Sequence, residues 1–560
     1  MKGRNHMSSF YPDSLHQRFT NRVSELATLG QVTEDLQRGL PRHIALFGLR
    51  RIGKTLLCQE QVRQLALGER VCPVYIDLED ICTSPELFAQ RYVGLCCFWA
   101  FELGQGAVGN YLSAERLLQT RAASSPAAVQ TASAIISEMG RQKVDFGLLL
   151  SLAFDFPESL AQEIGRPVMC FLDEFTELAT LGNYPGVGEP LKHFRAAMQR
   201  QTHVAYVIAG SAISAMERLI RDHESPLFLQ FRSMELRPLT AEDTRTLAEK
   251  VANSPLTPAA HSAIFSYTFG HPFYVTAVAE RLPEIAPTPE TASPDQIGQA
   301  FLLEALSARG QIYGYCRYLY DISLQKARGY GVLKATLQIL AEEENLTLTE
   351  VARRLHRRPS AAQGYLRWLL EVDLLAEQEK RYAYRDPVLR FWVAQNTRGV
   401  ELDGFPRREE LAQLLADLAE RFQRTATQLG RAKESEIREL LRALAGRTLP
   451  GVSFGQVEEV VVPHFTQVAS YRSLDGQVEI DGLAEAEDGG RWAVEVKWRL
   501  RRVGRQELEA LLAKAAGLRA RAWCISQGGF TPDATVLARD QAVLISTEQD
   551  LLELQRLTRT

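Results

Sequence analysis

The chain has 560 residues, of which 46% are hydrophobic and 24% charged, with a formal net charge of -4. This length corresponds to roughly three or four domains, each able to bury a core of its own. The near balance of charge excludes a polybasic nucleic-acid binder as a description of the whole molecule, so any such role must rest on local basic stretches. Eight cysteines occur without a CxxC pair, the pattern of reduced thiols. The first residues, MKGRNHMSSFYPDSLHQ, lack an apolar signal core. The most apolar runs, 95–101 and 146–154, fall well short of the ~18 residues of a membrane span. A soluble, cytoplasmic protein is expected, with no membrane partner.

In chain order, residues 43–47 read as a strand, followed by a glycine loop and a helix from Lys54. Residues 74–77, 167–172 and 204–209 read as further strands, separated by a helix-rich stretch over about 85–165 with a loop near 122–128. Strands alternating with helices imply a parallel sheet covered by helices on its faces. From Thr240 the pattern turns helical, with a loop predicted at 283–295 and two helical segments to about 327. Residues 332–341, 349–355 and 360–370 read as helices and 373–384 as a hairpin, the order of a helix-turn-helix with a wing. Its core would be Val351, Leu355, Leu366, Leu369 and Leu370. A charged cluster at 403–410 marks a linker or helix start, and 411–428 reads as a helix. A separate small α/β domain follows: a helix at 434–445, strands at 457–462, 478–484 and 492–497, a helix at 505–518, and strands at 522–526 and 543–546.

The stretch HIALFGLRRIGKTLL carries GxxxxGKT between an apolar strand and a helix, the context this motif requires. Glycines allow the backbone N–H groups to curl around phosphate, and the helix N-terminus faces the same anion. Gly48, Arg50, Arg51, Ile52, Gly53, Lys54, Thr55 and Leu56 are the expected loop contacts of ATP. Lys54 is expected to reach the β- and γ-phosphates, and Thr55 to ligate magnesium. PVMCFLDEF is an apolar strand ending in two carboxylates, where Asp173 is expected to hold magnesium through water and Glu174 to polarise the attacking water. Ser211, at the tip of YVIAGSAIS, can sense the γ-phosphate or simply end a strand. Arg232 can reach a neighbouring subunit's nucleotide or stand as a surface arginine.

With RFTNRVSELATL before the P-loop, GLRRIGKT, FLDEF, AGS, the Phe231-Arg232 element and GHPFYV, the chain resembles the archaeal-type ATPases of the AAA+/STAND class over about residues 16–395. The resemblance implies a P-loop parallel sheet, a helical lid and a winged helix. It places Arg22 and Pro272 near the base, makes Ser211 the sensor and Arg232 an arginine finger, and implies a homo-oligomer. In the helix-turn-helix, Arg353, Arg354, His356, Arg357 and Arg358 crowd the turn before the third helix, which offers Ser360, Gln363 and Arg367. Arginines there can hold DNA phosphates, or the module can serve in packing and oligomerisation.

In QVEIDGLAEAEDGGRWAVEVKWRL, Glu495 and Lys497 share one face of a strand and Asp481 lies on the neighbouring one. Two carboxylates can bind a divalent metal and a lysine beside them can orient water, the arrangement of metal-dependent phosphodiester hydrolysis. Glu436, in KESEIRELL, is a candidate third carboxylate. These residues resemble the PD-(D/E)xK restriction-endonuclease-like fold over roughly 430–550, although Ile480 stands where that motif has proline. The resemblance implies Mg2+ or Mn2+ held by Asp481 and Glu495, and DNA as the partner. Lys497, Arg499, Arg501, Arg502 and Arg505 form a basic run suited to a phosphate backbone. Trp498 can stack on a base or fill a core, and Ser526 and Gln527 are candidates for supporting contacts.

The resulting plan is a P-loop ATPase core (16–240), a helical lid (241–328), a winged helix (329–400), a linker helix (401–429) and a nuclease-like domain (430–560). The expected function is an ATPase coupled to a metal-dependent DNA nuclease, with defence against foreign DNA or mobile-element biology as the setting that family analogy suggests. The alternative is a nucleotide-switched DNA- or protein-binding scaffold with an inactive nuclease fold.

Overall fold

Four consecutive apolar residues form β1 (Ile44–Phe47), and all four are buried, as a strand enclosed between helix layers must be. The computed structural model describes residues 10–286, 288–325, 330–402, 408–473 and 478–558. β1 belongs to a parallel five-stranded sheet with β2 (Cys72–Asp77), β3 (Val168–Asp173), β4 (Val204–Gly210) and β5 (Arg232–Glu235). The strand order is β2-β3-β4-β1-β5, and every pairing is parallel. The carboxyl ends of β1, β3 and β4 therefore share one edge, where open α/β sheets bind ligands. β4 thus lies between β1, which leads into the GxxxxGKT loop, and β3, which ends in Asp173. The helices Lys54–Gly68, Pro85–Glu102 and Phe146–Ile164 help to cover it.

Between Pro85 and Ile164 the expected loop is ordered: a 3-10 turn over Arg121–Ser124 leads into a helix at Pro126–Met139. Ser125 caps that helix by accepting the Ala128 N–H, and Pro126 occupies its first turn, where the missing N–H costs nothing. The loop expected at 283–295 is also shorter than the composition suggests. Pro283 lies in the last turn of Pro272–Ile285, and Ser293 starts the next helix, Pro294–Leu306, with a capping box.

The region expected as a lid comprises the helices Ala241–Ala252, Pro258–Thr268, Pro272–Ile285, Pro294–Leu306 and Gln311–Gln325. Next come helices Tyr330–Glu342, Leu348–Arg354 and Pro359–Glu371, with a small antiparallel sheet of β6 (Leu346–Thr347), β7 (Leu375–Gln378) and β8 (Arg381–Tyr384) in the order β6-β8-β7. Val351, Leu366 and Leu369 are buried there, while Leu355 and Leu370 are half-buried against the same cluster. That cluster is continuous from Leu239 to Phe422, so the lid, the helix-turn-helix and the start of the following helix share one core.

That following helix corrects the domain plan. A linker helix and a first nuclease helix were expected as two elements, but Arg408–Leu444 is one helix of 37 residues, about 55 Å long. The boundary placed at 429/430 falls inside it. Gly430 alone costs about 1 kcal/mol of helix propensity, and the Ala, Glu, Arg, Gln and Leu around it outweigh that. The charged cluster at 403–410 lies largely outside the described residues.

The C-terminal domain is built on β11 (Phe465–Arg472), β12 (Glu479–Ala486), β13 (Arg491–Lys497), β14 (Arg521–Ser526) and β15 (Leu544–Thr547), in that order. β11, β12 and β13 pair antiparallel, and β13, β14 and β15 parallel. The strand expected at 457–462 shrinks to β10 (Val460–Val461), paired with β9 (Thr448–Leu449). One face of the large sheet packs on Ile437, Leu441 and Leu444 of the long helix and on Leu551 and Leu554 of the final helix, Glu548–Leu557. The other packs on Leu508 and Leu511 of the helix Arg505–Gly517 and on Leu537 of Pro532–Asp540. All eight cysteines are free. Among the described residues no helix is long and apolar enough to cross a membrane.

Candidate functional sites

The loop after β1 turns through Gly48, where a Cβ would stand 2.5 Å from the Leu236 carbonyl oxygen, so only glycine fits. Gly53 leads directly into the helix that begins at Lys54. Lys54 is buried, and its Nζ donates to the Gly48 and Leu49 carbonyls at 2.9 and 3.0 Å. Burial pushes its ammonium down to about 8, against the opposing pull of Glu174 and Asp173. Thr55 Oγ1 donates to Asp173 Oδ2 at 2.7 Å, joining the end of the loop to the end of β3. Tyr75, from β2, donates to the same oxygen at 2.8 Å. No sequence signal had marked Tyr75, whose role comes from the β2–β3 pairing.

Glu174 follows Asp173 in the left-handed region, with φ 45°. Its Oε2 accepts from Ser211 Oγ at 3.0 Å, so the end of β4 holds the candidate water-polarising carboxylate. Arg22 donates to the Ile52 carbonyl at 3.3 Å and to the Arg237 carbonyl at 2.8 Å. It thus ties the P-loop to the segment after β5. Residues of the following helical region pack on the loop from the other side. His271 Nε2 lies 3.2 Å from the Arg50 carbonyl, Tyr315 donates to that same oxygen at 2.9 Å, and Arg51 lies over the Phe273 ring at 4.5 Å. Pro272 is the first residue of the helix that follows His271. Before it, Gly270 has φ +71°, and a Cβ there would collide with the Leu239 carbonyl. Arg50 donates to the Tyr318 hydroxyl at 3.0 Å. Ile52 is buried and Leu56 half-buried beside the loop. Arg232 does not join this group. It is exposed on the edge strand β5, at the rim of a cavity of about 540 Å³ whose far wall is the chain's own C-terminal helix.

The second centre lies on β12 and β13. Glu495 is 8% exposed and Lys497 Nζ reaches its Oε1 at 2.5 Å. Asp481 Oδ2 accepts from the Val496 N–H at 2.7 Å, which holds the two strands' acidic residues together. Burial raises the Asp481 carboxyl, an effect partly offset by that N–H and reinforced by Glu495. Lys497 is raised: burial acts to lower it, but the hydrogen bond and charge of Glu495 win. A second ammonium, Lys514 Nζ of the helix Arg505–Gly517, lies 3.2 Å from Glu495 Oε2 and 3.4 Å from Oε1. Helical position alone gave no hint of it.

Glu436, the candidate third carboxylate, has other partners. It pairs with Lys433 at 2.9 Å, with Arg237 at 3.4 Å and with Gln555, and so fastens the long helix to the ATPase core and the final helix. Among the described residues no group of three or more His, Cys, Asp or Glu side chains is gathered to hold a metal. Trp498 is half-buried with Lys433 Nζ 4.4 Å over its ring, so it faces a protein cation. Ser526 is buried and donates to the Gly529 carbonyl, and the Gln527 N–H donates to the Lys497 carbonyl at 3.2 Å. In the basic run, Arg499 and Arg501 converge on Glu507, Arg505 pairs with Glu509 at 2.8 Å, and Arg502 is exposed.

In the helix-turn-helix, Arg353, His356, Arg357, Arg358, Ser360, Gln363 and Arg367 are all exposed, whereas Arg354 pairs with Glu343. The module also docks on the domain that carries the P-loop. Asp373 accepts from Ser214 N–H and Oγ at 3.0 and 2.6 Å, three residues beyond Ser211.

Residues 463–555 match the restriction endonuclease family model. The C-terminal domain therefore has a restriction-endonuclease-like fold, and the matched span contains Asp481, Glu495 and Lys497. No curated protein matches the chain. Among solved structures the chain is similar to a Walker-type ATPase of Pyrococcus abyssi, at 17% identity, TM-score 0.45, and coverage of 67% of this chain and 96% of the other. It is also similar to the ORC2 protein of Aeropyrum pernix, at 13% identity, TM-score 0.41, and coverage of 72% and 95%. A third is Cdc6p of Pyrobaculum aerophilum, at 14% identity, TM-score 0.28, and coverage of 75% and 98%.

Proposed function

We propose that the chain binds and hydrolyses ATP at the P-loop and that its C-terminal domain is a metal-dependent DNA nuclease under nucleotide control. The observation that carries the reading is the meeting of Asp481, Glu495 and Lys497 on β12 and β13, inside the span matched by the restriction endonuclease model and on the same chain as the Thr55–Asp173 pair. The residues present fit both groups. The ammonium of Lys54 has only loop carbonyls as partners among the described residues, so it can turn to phosphate. Asp481 and Glu495 supply two carboxylates for a hard divalent cation. Magnesium bound at the first centre would neutralise phosphate charge, and Mg2+ or Mn2+ at the second would polarise the phosphodiester. Glu174, which accepts from Ser211, would orient a water at the P-loop, and Lys497 would do so beside Glu495. The exposed Arg353, Arg357 and Arg358 offer a phosphate-binding surface on the helix-turn-helix.

The test is plasmid and linear DNA with Mg2+ or Mn2+, with and without ATP, using the parent protein and Glu495→Ala. Cutting by the parent and none by Glu495→Ala is expected. Equal cutting by both would remove the assignment. The scaffold reading draws on one observation: both carboxylates are already engaged within the protein. Absence of cutting by the parent under every condition would favour it. A role in defence against foreign DNA or in mobile elements is part of the same proposal, by analogy of architecture.

We extend the proposal to assembly. Arg232 is exposed on an edge strand without a carboxylate partner among the described residues, which suits a residue that completes a neighbouring copy's ATP site. Arg232→Ala should lower ATP turnover while leaving ATP affinity in place. Parental turnover in a protein that stays monomeric with ATP would sink the finger role.

A further inference from the structure

Glu495 carries more positive charge than its neutralisation requires. Lys497 Nζ already sits 2.5 Å from Oε1. Lys514 Nζ lies 3.4 Å from that oxygen and 3.2 Å from Oε2. Its third contact, at 3.1 Å, is the Glu479 carbonyl, two residues before Asp481. Lysine ammonium groups ordinarily stay in water, yet the Lys514 side chain is 29% exposed and its partner 11%. The helix fixes the position, because Leu511 and Ala515 on either side of Lys514 are buried against the sheet. Two carboxylates and two ammoniums are thus gathered in one centre.

We propose that Lys514 gates this centre: its ammonium occupies Glu495 Oε2, and a divalent cation can bind there only by displacing it. The inference rests on the reading of Asp481 and Glu495 as metal-holding residues. A cation bound to a carboxylate oxygen sits about 2.0 to 2.6 Å from it. At that range it would lie within a few ångströms of Lys514 Nζ, where like charges repel strongly in a partly buried setting. Lys497 can stay beside Oε1, because Lys514 alone covers Oε2. Lys514 is thereby a positioning residue that holds Glu495 in place without metal and sets the metal concentration at which the centre loads.

The experiment is Mn2+ titration calorimetry on the full chain, stripped of metal and without nucleotide, comparing the parent with Lys514→Met, Lys514→Arg and Glu495→Gln. The Glu495→Gln trace isolates the heat that belongs to this centre. Lys514→Met should tighten Mn2+ binding roughly tenfold, the scale of one charge-assisted hydrogen bond no longer in competition. Lys514→Arg should keep the parental Kd. Unchanged or weaker Mn2+ binding in Lys514→Met, with cutting intact in the parent, would overturn the gate alone. Absence of Glu495-dependent Mn2+ binding in every protein would overturn both the gate and the metal-centre reading beneath it. Equal tightening in Lys514→Arg would show that lost geometry, not lost charge, is responsible, and would also overturn the gate. Lys514→Gln, which keeps a donor without the charge, replaces Lys514→Met if circular dichroism shows that the latter is unfolded.

Discussion

Lys54 and Glu174 predict different failures. Lys54→Ala removes the cation that would face phosphate, so ATP binding should be lost in equilibrium dialysis. Glu174→Gln keeps the hydrogen bond to Ser211 and should bind ATP while losing turnover; parental turnover would require another base. Two buried histidines give a pH signature. His43 accepts the Tyr206 N–H at 3.1 Å, and burial holds its imidazole at about 4. His271, against the Arg50 carbonyl, is held at about 3 by burial. Both are depressed below 6.5, so between 6.5 and about 4 the unfolded chain binds more protons than the folded one. Stability must then fall as pH drops through that window, by about 1.4 kcal/mol per pH unit for each histidine. His271→Gln should reduce the loss between pH 7 and pH 5 by about 2 kcal/mol in urea unfolding. An unchanged loss would mean that His271 is not neutral in the folded state. The P-loop residues were legible from spacing alone because one backbone geometry demands them. Lys514 and Tyr75 were not, because each reaches its carboxylate from an element distant in sequence, and nothing local distinguishes such a lysine or tyrosine from a surface one.

At the level of elements, apolar runs foretold the buried strands β1, β3 and β4 to within a residue or so of their ends. Polar alternation hid β11: FTQVASYR has Val468 as its one fully buried side chain, so no apolar run marks it. The helices Pro532–Asp540 and Glu548–Leu557 were missed for a similar reason, each burying only a narrow stripe. The long helix Arg408–Leu444 was expected as two elements with a boundary at 429/430, and it runs through Gly430 as one. Its first half enters the lid core through Phe422, whose ring lies 5.0 Å from Phe269, 5.5 Å from Phe391 and 5.7 Å from Phe301. Phe269 stands two residues before His271, whose ring lies against the Arg50 carbonyl of the P-loop, so the helix is anchored close to that loop. Phe422→Ala should cost about 3 to 5 kcal/mol, as for other buried aromatic truncations. The loss should appear as a lowered melting transition of the lid body while the C-terminal domain, with its separate cores, melts as before. A simultaneous shift of both transitions would show that the long helix couples them more tightly than their cores suggest.

Across the whole molecule, one side chain, Arg237, links the segment held by Arg22 to the C-terminal half. Arg22 holds the Ile52 carbonyl of the P-loop and the Arg237 carbonyl. The Arg237 guanidinium donates to Gln555 at 3.2 Å and to Glu436 at 3.4 Å, both in the C-terminal half. Glu436 holds Lys433 at 2.9 Å, and Lys433 lies over Trp498, the neighbour of Lys497. A continuous set of contacts thus runs from the P-loop to the end of β13, although contiguity alone does not establish coupling. Arg237→Ala separates the two possibilities, because it keeps the carbonyl that Arg22 uses and removes the bonds to Glu436 and Gln555, together with the ion pair to Glu235 at the end of β5. ATP binding and turnover should persist, while the response of DNA cutting to ATP should flatten. Amide exchange over 495–498 gives a readout independent of cutting. ATP should change protection there in the parent and leave it unchanged in Arg237→Ala. Glu436→Ala should have the same effect, and the double variant no more than either alone, since residues of one network are not additive. Loss of ATP binding in Arg237→Ala would instead place the residue in the nucleotide site. A parental ATP response in both assays would mean that nucleotide control reaches the nuclease domain by another route, the Ser214–Asp373 contact behind Ser211 being the next to break.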